Sequence, residues 1–167
     1  MSMADLTAWY AACLIAIHAT SGQIIAQALV LSEHAGSGGL RRDAEEVGEI
    51  FKQNQLLIQS FIGRLDSWPT TFADAESVNM VCPGNPALEV IYAQNSVKML
   101  TLCRMAKILP TLAFCGSSID EAAGLAACLG LDDQAADLEW MRDECAAYSY
   151  TLQRFARELR MRVLDSR

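Results

Sequence analysis

Histidine is the scarcest chemical group in this chain: only His18 and His34 occur among 167 residues. With no Gly-x-Ser-x-Gly beside them, a hydrolase of the nucleophile–histidine kind has no parts to assemble from. A di-iron helical bundle needs Glu-x-x-His on two helices so that imidazole and carboxylate converge on the metals. That spacing is missing, and Glu33 and His34 are adjacent, so their side chains diverge on a helix. Six cysteines are present, yet none form a Cys-x-x-Cys pair, which removes zinc-ribbon and dithiol redox motifs. No catalytic residue, no metal ligand and no cofactor is assigned from the residues.

Charge is also sparse. Charged residues make up 20% of the chain against 52% hydrophobic, and the net charge is −7. A negative chain with no basic recognition helix is not expected to bind nucleic acid or acidic lipid. The one basic cluster, Arg154, Arg157, Arg160, Arg162 and Arg167, sits where cations complement the C-terminal end of a helix dipole. The surplus of apolar residues predicts an exposed interface, and with it a homo-oligomer or a protein partner.

No Asp, Glu, Lys or Arg falls between Asp5 and Glu33, a stretch long enough to span a bilayer. Its centre, His18-Ala19-Thr20-Ser21-Gly22-Gln23, is costly in lipid, so the expectation is a buried central helix and no membrane. The scattered cysteines read as free thiols of a reducing cytoplasm, and no basic leader with a cleavage site precedes the apolar stretch.

Apolar residues recur at three and four, the helical period, along most of the chain. The spacing predicts an all-α, single-domain bundle over 1–167: four long helices plus one or two short ones, with a Pro-rich crossover at about 69–86. The first helix, about 4–31, carries an alanine ladder (Ala4, Ala8, Ala12, Ala16) that predicts close approach of a neighbour, so Ala12→Leu is expected to disturb packing. Residues 35–39, rich in glycine, follow a helix and lack the Gly-Lys-Ser/Thr ending of a phosphate loop, so they read as a turn. The second helix, about 40–68, has the seam Leu40, Ala44, Val47, Phe51, Asn54, Ile58, Phe61, Leu65, Trp68, in which the lone Asn54 is the kind of residue that sets register.

A possible short helix lies near residues 72–80. The third long helix opens at Asn85-Pro86 and ends or kinks at Pro110, with the seam Leu88, Tyr92, Asn95, Met99, Leu102, Ala106, Leu109. Asn54 and Asn95 are candidates to pair. Ser118-x-x-Glu121 reads as the capping box of a short fourth helix closed by Gly130, and Asp132 or Asp133 caps the last helix, which runs to about 164. Its seam is Leu138, Met141, Cys145, Tyr148, Leu152, Phe155, Leu159.

Three functional expectations follow. The first is a non-enzymatic, regulatory or interaction protein that self-associates or binds a partner through apolar seams. The second is a small-ligand-binding bundle with an apolar pocket near His18, Trp9 or Tyr92, where Met-rich helices could repack around a guest. The third rests on the order of residues 8–68, where a mid-helix His18 precedes an amphipathic helix. This loosely resembles a sensor-kinase dimerisation hairpin, and the resemblance implies phosphotransfer through His18. Ala19 stands where that family carries an acid, and no proline follows. Candidate binding residues are therefore His18, Trp9, Asn54, Tyr92 and Asn95.

Overall fold

A computed structural model of the chain describes residues 2–65 and 97–164, and among these it contains four long α-helices and no strand. Helix α1 spans Met3–Glu33, α2 spans Gly38–Gly63, α3 spans Val97–Cys128 and α4 spans Asp132–Leu164. The all-α bundle expected from the apolar period is what the structure shows. The crossover at 69–86, the short helix near 72–80, Trp68 and the Asn85-Pro86 cap lie outside the described residues.

Local chemistry sets each boundary. Ser2 opens α1 with a capping box: its hydroxyl accepts from the Asp5 amide at 3.2 Å, and Asp5 Oδ2 accepts from the Ser2 amide at 2.8 Å. These bonds hold the Asp5 carboxyl below its ordinary pKa. Ser37 caps α2 through the Leu40 amide at 3.2 Å, so Gly38 and Gly39, expected in the turn, form the first helical turn instead. Gly130, at φ 72°, closes α3 in the left-handed conformation, and the Leu131 amide bonds back to the Ala126 carbonyl at 2.9 Å.

Two expectations for the second half of the chain are corrected. Pro110 neither ends nor splits α3, and Ser118 caps nothing, because both lie inside one continuous helix of 32 residues. Proline removes one backbone donor, but Pro110 is exposed while Thr111 and Leu112 beside it are buried, so packing carries the helix through. The buried seam of α3 also differs from the expected one. It runs Thr101, Met105, Ile108, Leu112, Cys115, Ile119, Ala122, Ala126, steps of four and three that pass Pro110 without a break. Leu102 and Leu109 of the expected seam are half-buried and Ala106 is exposed.

Side-chain contacts fix the helix directions. Near one end of the bundle Thr101 donates to the His34 carbonyl at 3.3 Å and Arg104 to the Val30 carbonyl at 3.1 Å, so the start of α3 meets the end of α1. Near the other end Tyr10 donates to Gln134 Oε1 at 2.8 Å, joining the starts of α1 and α4. The order is thus up, down, down, up. Helix α1 packs against α2 and α3, α3 packs against α4, and α2 and α4 approach each other only sparsely.

The interior is filled by Tyr10, Leu14, Ile17 and Ile24 from α1, and by Phe51, Ile58 and Phe61 from α2, all 1% exposed or less. Every member of the α2 seam from Leu40 to Phe61 is buried, as the heptad required. The alanine ladder of α1 is another correction: Ala4, Ala8 and Ala12 are exposed and Ala16 is half-exposed. The small residues that do lie buried include Ala11 and Ala28 on α1, and Ala122, Ala123 and Ala126 on α3, with the Gly48 backbone of α2 opposite Ala28.

Phe51→Ala removes a fully buried ring with no path for collapse and should cost about 3–5 kcal/mol in a urea titration. An unchanged midpoint would refute the central placement of Phe51.

Candidate functional site

The sequence candidates do not converge. His18 and Trp9 share α1 but are two and a half turns apart, which places them on opposite sides of the helix. Trp9 is 44% exposed and faces outward, whereas His18 is half-buried against α2. Tyr92 and Asn95 lie outside the described residues, and with them the proposed Asn54–Asn95 pair.

His18 is tied into the α1–α2 seam. Its backbone carbonyl accepts from Gln55 Nε2 at 3.1 Å, and its ring Nε2 lies 3.0 Å from Gln59 Nε2. An amide donor at that nitrogen suits a neutral ring with its proton on Nδ1. Burial lowers the His18 pKa from its ordinary 6.5, in the same direction. Gly22 makes the seam close: a Cβ there would sit 3.3 Å from Gln55 Nε2. A ring held in this way is a packed interhelical residue, a geometry that offers no support to phosphotransfer.

Asn54 is buried on α2 and faces Glu144 of α4. Burial raises the Glu144 carboxyl, the Asn54 side chain opposes that shift, and the nearby charge of Glu46 adds to it. Neither Asn54 Nδ2 nor Glu144 Oε2 completes an aligned hydrogen bond. A second polar link lies close by, where Tyr148 donates to Glu46 Oε1 at 3.3 Å and burial pushes the phenol up to about 12. The sparse α2–α4 seam therefore holds two polar pairs, with a carboxylate in each, of which Tyr148–Glu46 is hydrogen-bonded. Deeper in, Thr20 and Ser21 of α1 meet Cys115 of α3, which in turn meets Cys145 of α4, whose thiol donates to the Leu112 carbonyl at 3.2 Å. Cys13, Cys115, Cys128 and Cys145 form no disulfide. Among the described residues no group of three His, Cys, Asp or Glu side chains is placed to hold a metal.

Two surfaces among the described residues have the capacity to bind. One is the outer face of α1. Ala8, Ala12, Ala26 and Val30 are exposed along it, Ala19 is half-buried among them, and Leu29 is 59% exposed at its flank. No charged residue interrupts this face between Asp5 and Glu33. Both α1 and α3 are long and apolar enough to cross a membrane, and only 39% and 33% of their most apolar stretches are buried. The other is a cavity of about 360 Å³ at the end of the bundle where α2 begins, lined by residues of the α1–α2 turn, α2, α3 and α4. It lies away from Trp9 and His18, and its residues were not among the candidates.

Comparison with family models, with curated proteins and with solved structures returns no match.

The His18 geometry sets a pH dependence. Because its folded-state pKa lies below 6.5, the stability it contributes is present above that value and is lost as pH falls through the lower folded-state value. His18→Gln should flatten the fall in urea midpoint between neutral pH and about pH 5 relative to wild type; identical slopes would refute the assignment. Glu144 has the opposite sign, since its raised pKa means that the ionised form strains the fold at neutral pH. Glu144→Gln should therefore raise the Tm at pH 7.5 by about 1–3 °C, and a lower Tm would show the charge to be needed.

Proposed function

We propose that this chain is a non-enzymatic interaction protein that self-associates through the outer face of α1. The observation that supports this reading is the uncharged, exposed stripe between Asp5 and Glu33 on a helix whose inner face is already occupied by α2 and α3. A bundle helix normally turns polar residues outward, and one that is apolar all round requires cover on every side. A second copy of the chain suits this face in two ways. Two-fold association places identical residues opposite one another, and a face without charge brings no like-charge repulsion against itself. Small side chains at Ala8, Ala12 and Ala26 let two such helices approach closely. The chain's charge of −7 lies elsewhere and disfavours an acidic bilayer as the covering surface. The free thiols of Cys13, Cys115, Cys128 and Cys145 fit a reducing compartment such as the cytoplasm.

Sedimentation velocity tests the reading. Wild type should sediment as a dimer or larger, while Ala12→Glu and Ala26→Glu, both at exposed positions, should sediment as folded monomers with unchanged circular dichroism. A wild-type monomer in solution, or co-flotation of wild type with lipid vesicles in place of self-association, would overturn it.

A further inference from the structure

A third face lies along the outside of α4, where charge is sorted by position. The first half of the helix exposes Asp132, Asp133, Asp137, Glu139 and Asp143 against one cation, Arg142. The second half exposes Arg154, Arg157, Arg160 and Arg162 against one anion, Glu158. A helix dipole accounts for such charges only within the first and last turns. Glu139 and Asp143 stand past the first turn and Arg154 and Arg157 short of the last, so the dipole leaves these four unexplained. Pairs within the chain do not cancel the sorting. Arg142 meets Asp143 at 3.0 Å and Asp120 of α3 at 3.1 Å, while Arg154 lies 4.0 Å from Glu158 and 5.8 Å from the Phe155 ring. These ion pairs are solvent-exposed and therefore weak, and each half keeps its excess charge after them.

From Ala136 to Met161, eight exposed residues follow one another at alternating steps of four and three, the spacing of a two-helix seam. Among them Trp140, Tyr150 and Met161 are large apolar side chains left more than half exposed. Laid against its own reverse about the midpoint between Ala147 and Tyr150, this stripe matches itself. Asp143 falls opposite Arg154 and Trp140 opposite Arg157, while the small Ala147 and Ala136 fall opposite the large Tyr150 and Met161. A parallel pairing of the same helices sets acid against acid and arginine against arginine. We propose that two copies of the chain pair antiparallel along this face of α4, with Asp143 of each copy at Arg154 of the other and Trp140 against Arg157. Two-fold symmetry makes each contact twice, and the guanidinium–indole contact adds a cation–π attraction. This contact goes beyond the α1 reading and is separable from it by salt, because the α1 face has no charge to screen.

Sedimentation velocity of the Ala12→Glu variant, whose α1 face is disabled, is the test. In about 300 mM NaCl it should be a monomer, and in about 20 mM NaCl, where the screening length rises from roughly 5 Å to roughly 20 Å, it should dimerise. In that background Asp143→Arg and Arg154→Asp, both at exposed positions, should each weaken the low-salt dimer at least about tenfold, with unchanged circular dichroism. An equimolar mixture of the two reversed variants should recover the dimer, because every reversed position then faces an opposite charge. The double variant carrying both reversals should recover it for the same reason. A low-salt monomer in the Ala12→Glu background, dimers indifferent to either reversal, or a mixture and a double variant that both stay monomeric would overturn the proposal. Failure of the α1 reading has a different signature, a wild type that is monomeric at the higher salt while its low-salt dimer still obeys the reversals.

Discussion

Everything in this bundle leans on α1. It is the helix against which both α2 and α3 pack, and it can serve in that way because no charge has to be kept in water between Asp5 and Glu33. Leu14, Ile17 and Ile24 fill the interior without competition from ionisable side chains, and the burial of such residues is worth about 1.5–3 kcal/mol each. The same composition has a cost on the other side of the helix. With nothing charged available to turn outward, α1 presents alanine, valine and leucine to its surroundings, and the described helices leave that face uncovered.

Polar groups inside the bundle specify how the helices meet. His18 with Gln55 and Gln59 fixes the α1–α2 register, Tyr10 with Gln134 fixes α1 against α4, and Thr101 with the His34 carbonyl fixes the start of α3. Each of these bonds joins residues that no apolar pattern could align, because the hydrophobic contacts around them are nondirectional. Asn54 has the register-setting position that its place on a heptad suggests, but its described counterpart is a carboxylate whose own ionisation is hindered by burial.

What could be read from the sequence followed from how one-sided each helix is. On α2 apolar and polar residues separate sharply, so the seam from Leu40 to Phe61 was legible residue by residue. On α1 and α3 apolar residues occur nearly all round, and the pattern cannot say which stripe faces in: hence the alanine ladder assigned inward that points outward, and the α3 seam displaced by one residue from Met105 and Ile108 to Ala106 and Leu109. Pro110 misled because a local rule was weighed without the packing that overrides it. The Ser2-x-x-Asp5 capping box was present to be read and marks the start of α1 correctly. The cavity was not legible at all, since Leu40, Met105, Phe155 and Arg162 come from three helices and share no sequence signal.

The thin contact between α2 and α4 gives the bundle an uneven resistance to opening. Among the described helices α2 is anchored almost wholly to α1, while α4 is secured along its length by α3. A fluctuation that swings α2 outward about α1 therefore keeps the α1–α2 packing and parts the polar α2–α4 seam first. Solvent would reach Phe51 and Ile58 by this route, which makes α2 the leaf of a book whose spine is α1.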